Sequence, residues 1–197
     1  MQIQLEVCCV RLRVFPELLC NELKKNCTAG TLIPCQMGHQ KAQRKAQKME
    51  AVIFIGIQGA GKSSFYKARF FNSHVRINLD MLKTRYRETL LLRACIESKQ
   101  PFVVDNTNAL AAERAIYIDA AKTAGFVVKG FYFRSSLNDA LVVNRTRPEP
   151  ERVPDKGVLG TYKKLQMPNQ SEGFDHLFYV TKTDEGEFMI KEWIDEV

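Results

Sequence analysis

The chain has 197 residues, 45% hydrophobic and 26% charged, with a net charge of +7, which suits one α/β domain with a real core, or a domain plus an appendage. No apolar run approaches the roughly 18 to 20 residues of a bilayer crossing, and Glu6, Arg11 and Arg13 interrupt any secretory hydrophobic segment, so the expectation is a cytoplasmic protein with no membrane partner. Residues 1–48 carry eight Lys and Arg against three Glu, leaving 21 against 19 in residues 49–197; the high isoelectric point therefore says little about nucleic-acid binding by the body of the chain.

The first segment has a weak strand-like alternation at Ile3, Leu5 and Val7 and a Lys/Gln/Arg/Ala-rich stretch from His39 to Lys48. Cys8, Cys9, Cys20, Cys27 and Cys35 all fall within it, but the gaps along Cys20, Cys27, Cys35 and His39 contain no close Cys-x-x-Cys pair, so reduced thiols are expected rather than zinc. Residues 1–48 read as a basic, Cys-rich, loosely ordered extension dispensable for function. Met49-Glu50-Ala51 stands directly before the first strand, where a compact domain over 49–197 would begin.

Val52 to Ile55 reads as that strand and delivers into Gly56-x-x-x-x-Gly61-Lys62-Ser63, the pattern of a phosphate-binding P-loop. Glycines let the turn bring its backbone N–H groups close to phosphates, and a helix beginning near Gly61 adds the positive end of its dipole. The loop Gly56, Ile57, Gln58, Gly59, Ala60, Gly61, Lys62, Ser63 and Ser64 is thus expected to hold ATP, with Lys62 on the β and γ phosphates and the Ser63 hydroxyl on Mg²⁺.

Helices are expected over Lys62–Phe71, Met81 to about Lys99, Ala109–Thr123, Leu137–Asn144 and Lys156–Leu165. Strands alternate with them at Val75–Asn78, Phe102–Val104, Val127–Phe133 and Leu177–Val180. The pattern predicts an α/β, three-layer P-loop NTPase fold whose mostly parallel five-stranded sheet carries helices on both faces. Ligands in such folds gather outside the carboxyl ends of the strands. There stand Asp80 after the second strand, placed to take a proton from an acceptor hydroxyl, and Asp105, closing Phe-Val-Val-Asp as a support for Mg²⁺. Arg145, Arg147 and Arg152 lie in a Pro-bounded loop that opens a lid over 145–164, while Arg134 is a weaker candidate for the same pocket. Cys95 falls within a helical apolar pattern as a buried thiol.

The ordered set Gly56 to Ser64, Asn78-Leu79-Asp80, Asp105-Asn106-Thr107-Asn108, Arg152-Val153-Pro154-Asp155 with Tyr162-Lys163, Met167-Pro168 and Glu172-Gly173-Phe174 resembles the 5′-hydroxyl kinase domain of polynucleotide kinases, with its AAA-type ATP-binding core, over roughly residues 51 to 180. The resemblance implies ATP and metal binding by Lys62 and Ser63, activation of the acceptor hydroxyl by Asp80, and lid arginines at Arg147 and Arg152. It also implies an acceptor site that takes in Lys83, Arg87, Asp105 and Asn108. Lys83 departs from the Arg often found there and lacks its bidentate fork. No Asp-x-Asp pair is present for the phosphatase domain that many such enzymes carry.

The expected activity is ATP- and Mg²⁺-dependent transfer to a hydroxyl, with a polynucleotide 5′ end favoured and no obligate protein partner. Two alternatives stand beside it: a small-molecule kinase of the zeta-toxin or sugar-kinase kind, and a nucleotide-dependent switch suggested by Thr181-Lys182-Thr183-Asp184. Only thirteen residues follow Asp184, and no Asp-x-x-Gly follows the third strand, both of which count against the switch.

Overall fold

The computed structural model describes residues 49–134, 136–183 and 185–194. The expectations for residues 1–48, including the strand-like alternation and the cysteines, and Asp184 of the Thr181-Lys182-Thr183-Asp184 element lie outside the described residues. Among the described residues no helix is long and apolar enough to cross a membrane.

The strands are β1 (Glu50–Ile55), β2 (Val75–Ile77), β3 (Phe102–Val104), β4 (Val127–Phe133), β5 (His176–Lys182) and β6 (Phe188–Glu192). They form one sheet in the order β2-β3-β1-β4-β5-β6. Every pairing is parallel except β5 with β6. The sheet has six strands where the sequence suggested five. The extra strand returns from a turn in which the Gly186 N–H donates to Thr183 O. Only Phe188 in β6 is even half-buried, so this edge strand lacks the core-facing alternation that marks a strand in sequence.

The helices are α1 (Lys62–Arg69), α2 (Leu79–Leu82), α3 (Arg85–Glu97), α4 (Ala111–Thr123), α5 (Leu137–Arg145) and α6 (Asp155–Lys164). Alternate residues of β1 feed opposite faces, as the pleat requires. Ala51, Ile53 and Ile55 pack with α3 and α4 through Leu92, Cys95, Tyr117 and Ile118. Val52 and Phe54 pack against α1 through Phe65 and Tyr66, where Phe54, Phe65, Phe131 and Phe133 meet as tilted and edge-on rings. Cys95 is buried, as its pattern implied, and burial pushes its thiol pKa up.

The helix expected from Met81 to about Lys99 is two helices. Lys83 adopts a left-handed conformation, φ 67°, at the end of α2, and the Thr84 hydroxyl accepts from the Arg87 N–H to begin α3. The threonine N-cap offsets the cost of the break by satisfying a donor that the new helix start would otherwise orphan. The break frees the one-turn α2 to follow the end of β2 rather than the axis of α3. A third cluster of Ile57, Ala140 and Val158 joins the loop after β1 to α5 and α6.

Candidate active site

At the carboxyl ends of β1, β2 and β3 one cleft is lined by Gln58, Gly59 and residues 61–64 of the loop together with Asn78, Asp80, Asp105, Asn106, Thr107, Val143 and Arg147. The loop is shaped by glycines in backbone regions that other residues rarely adopt: Gly59 has φ +84° and Gly61, which precedes α1, has φ +94°. Gly59 also meets α5 directly, since a Cβ there would stand 2.8 Å from the Ala140 carbonyl oxygen. The Gln58 side chain donates to Thr161 Oγ1 on α6 at 3.2 Å. The loop is therefore packed against both α5 and α6.

Lys62 Nζ donates to Gly56 O at 2.8 Å and Ile57 O at 2.7 Å. Burial, with help from the Arg147 charge and opposition from Asp105 and Asp80, lowers its pKa from 10.5 to about 8. Ser63 Oγ donates to Asp105 Oδ2 at 2.9 Å, and the Asp105 side chain is 1% exposed. The charge of that buried carboxylate is met by a residue the sequence reading missed. Arg76 on β2 donates from Nε to Asp105 Oδ2 at 2.8 Å and from Nη2 to Ser63 Oγ at 2.9 Å. A cation at the middle of a three-residue strand carries no motif, so only the pairing of β2 with β3 brings it to Asp105.

Asp80 sits in the first turn of α2, and the N-cap of that helix is Asn78, whose side chain accepts from the Met81 N–H. The Asp80 carboxylate is exposed and faces the cleft without a hydrogen bond or ion pair among the described residues. Arg147, half-buried, also faces the cleft.

Five residues expected at the site lie elsewhere. Arg152 donates to the Arg145 carbonyl and, at 3.3 Å, to Glu149 Oε1, so its charge is spent within the α5–α6 connection. Lys83, at the end of α2, and Arg87, in the first turn of α3, are exposed and outside the cleft lining, and Arg87 Nη1 donates to Leu82 O at 3.3 Å. Asn108 is buried, with Nδ2 donating to Phe54 O at 2.7 Å; it ties the loop after β3 to the end of β1. Arg134 is exposed and stands outside the lining too.

Two further residues escaped the sequence reading. Asn144, fully buried, donates to Val153 O at 2.6 Å and accepts from Val153 N–H at 3.1 Å, which fixes the shape of the loop that carries Arg147. Arg114, also fully buried, holds Glu172 through Nε and Nη2, each at 2.6 Å, and donates from Nη1 to Asn108 O at 3.0 Å. The Glu172-Gly173-Phe174 element thus braces the loop after β3, with Phe174 in the core beside Gly130.

A family model described as an AAA domain matches residues 52–167, from β1 to just beyond α6. The chain belongs to this AAA-domain family. The bifunctional polynucleotide phosphatase/kinase of Schizosaccharomyces pombe is 24% identical over 150 residues, covering 74% of this chain and 37% of the relative. A putative bifunctional polynucleotide phosphatase/kinase of Acanthamoeba polyphaga mimivirus is 34% identical over 144 residues, covering 70% and 34%. The chain spans about a third of the length of these two relatives. Among solved structures, Chaetomium thermophilum Kti12 in complex with ADP-AlF3 superposes with a TM-score of 0.54 at 15% identity, over 68% of this chain and 90% of that one. A likeness at that identity speaks to the shared AAA-domain fold.

Proposed function

We propose that the chain is an ATP- and Mg²⁺-dependent kinase that moves the γ-phosphoryl group of ATP to a hydroxyl, with a polynucleotide 5′ hydroxyl as the favoured acceptor. The observation that carries this reading is the uncommitted Asp80 carboxylate, which faces the same cleft as Lys62 and Arg147. Asp80 would accept the proton of the acceptor alcohol as its oxygen bonds to the γ-phosphorus. The bond from that phosphorus to the β–γ bridging oxygen breaks, and ADP leaves with the electron pair. Lys62 and Arg147 offset charge on the phosphoryl oxygens, and the loop N–H groups hold the β phosphate. The names of the two relatives support the polynucleotide acceptor.

Ser63 Oγ and Asp105 Oδ2 are hard oxygen donors of the kind Mg²⁺ takes. Among the described residues no cluster of three or more His, Cys, Asp or Glu could hold a metal. A short protein donor set suits Mg²⁺ that also takes phosphate oxygens and water. When bound, Mg²⁺ would supply charge neutralisation at the β and γ phosphates.

A small-molecule acceptor is the second reading. It is favoured by the near-neutral body of the chain and by the position of Lys83 and Arg87 outside the cleft lining. The test incubates the protein with γ-labelled ATP, Mg²⁺ and a panel of 5′-hydroxyl DNA, 5′-hydroxyl RNA, nucleosides and sugars. Label on the oligonucleotides, with an acceptor KM that rises steeply with salt, supports the polymer. Salt-independent label on a nucleoside or sugar supports the second reading, and label on no member of the panel overturns both.

A further inference from the structure

The cleft residue Asn106 leads away from the reacting groups into a buried polar network on the far side of α2. Its Oδ1 accepts from the Leu79 N–H at 2.8 Å, and Leu79 directly precedes Asp80. Its Nδ2 donates to Glu88 Oε1 at 2.6 Å. Glu88, on α3, is only 4% exposed, a burial that a carboxylate tolerates only when donors surround it. Here they do: Tyr117 OH donates to Oε1 at 2.9 Å and Arg85 Nη1 to Oε2 at 2.7 Å. Burial first, and then the Glu88 charge, push the Tyr117 phenol up to about 12, so it remains a donor at any physiological pH.

The polarity of this chain runs one way only. A carboxylate accepts and cannot donate, so Glu88 fixes which end of the Asn106 amide faces it and thereby aims Oδ1 at Leu79. The helix so anchored has four residues, too few to hold a shape by its own hydrogen bonds. Its anchors are the Asn78 cap, which accepts from Met81 N–H at 3.0 Å, and the Asn106 bond at its first residue. Resting on the role proposed above for Asp80, we propose that Glu88 is a positioning residue for phosphoryl transfer: through Asn106 it sets the start of α2, and so the direction from which the Asp80 carboxylate meets the acceptor hydroxyl. The network makes no hydrogen bond to the P-loop or Lys62, so its loss is expected to bear on transfer more than on nucleotide affinity.

The experiment uses the full chain as wild type, Glu88→Gln, Asn106→Ala and the double variant. The amide in Glu88→Gln keeps the shape of the side chain but must present an NH2 group to one set of donors. Three quantities are measured: hydrogen exchange at the Leu79 N–H, the dissociation constant for ATP, and transfer of label from ATP to whichever member of the acceptor panel the wild type phosphorylates. In each single variant the Leu79 N–H is expected to exchange about 10-fold faster, the scale of one lost hydrogen bond. Acceptor kcat is expected to fall roughly 10- to 100-fold, the cost of a misplaced reacting group, with ATP affinity within about twofold of wild type. The double variant is expected to lose no more than the worse single variant, because both cut the same chain of bonds.

Unchanged Leu79 exchange in both variants overturns the proposal, as does a matching loss of ATP affinity, or losses that multiply in the double variant. If Glu88→Gln does not fold, Asn106→Ala alone decides, since it leaves Glu88 paired with Arg85 and Tyr117. A wild type that labels no acceptor counts against the kinase reading. Faster Leu79 exchange in the variants would then still uphold the anchoring of α2, and unchanged exchange would remove it.

Discussion

The two sides of the cleft are built differently. On the side of the P-loop Lys62 and Asp105 are both engaged: Lys62 bonds two carbonyls of its own loop, and Asp105 is held by Ser63 and Arg76. On the opposite side the Asp80 carboxylate is exposed and unpaired, on a four-residue helix fixed by bonds to its backbone. The first arrangement suits a ligand whose charges are always the same, because dipoles and cations set in advance need no reorganisation when a triphosphate arrives. The second suits a group that must receive a proton, for which a permanent ion pair would stabilise the wrong state. Nucleotide binding and acceptor activation should therefore be separable by mutation.

The sharpest test of that separation is Asp80→Asn, expected to slow transfer by roughly 10² to 10⁴ while leaving ATP affinity nearly intact. Titration with a fluorescent ATP analogue alongside a labelled-phosphate assay checks it, and a parallel loss of nucleotide binding would merge the two sides into one. Lys62→Ala should cost about 10² to 10³ in rate and, unlike Asp80→Asn, should weaken ATP binding in the same titration. Within the lid, Arg147→Ala is expected to slow transfer by roughly 10². Arg152→Ala should stay within about fivefold of wild type, because its guanidinium serves a surface ion pair and the lid backbone. Equal effects of the two arginines in single-turnover kinetics would put Arg152 back over the phosphates.

The smallest effect expected is on pH. The lowered pKa of Lys62 means its ammonium is complete well below about 8 and is lost as pH rises through that value. kcat/KM for ATP, which reports the free protein, should fall above about pH 8, whereas kcat should persist to higher pH because bound phosphate favours the charged amine. The same shift means that the buried Lys62 ammonium costs stability in full below about pH 8, and that stability recovers as pH rises from about 8 to 10.5, where the unfolded chain binds the extra proton. A pH profile of kcat/KM for ATP that is flat to pH 10 would contradict the burial of this amine.

The legibility of the sequence divides along the same line. The loop 56–64, Asp105 and the five parallel strands were readable because each is local: a glycine pattern, an apolar run, an aspartate at the end of a strand. The acceptor side was readable only at Asp80. The break at Lys83 and Thr84 passed unnoticed because a single N-cap competes with a long helical pattern. Arg76, Glu88 and Arg114 gave no signal at all, since a lone charged residue in a strand or helix ordinarily faces solvent. Lys83, Arg87 and Asn108 illustrate the converse, for chain proximity to Asp80 and Asp105 did not put their side chains in the cleft lining.

The order of strands and helices, the phosphate loop and the identity of one exposed carboxylate follow from residues close together along the chain, whose backbone preferences and apolar periodicity act without distant help. Which buried charges pair, and what anchors the start of the one-turn helix, depend on contacts between residues 27 to 58 positions apart. Those contacts exist only once the sheet has aligned its strands. A buried charge is tolerated only where folding delivers its partner, and that partner cannot be identified until the chain has closed around both.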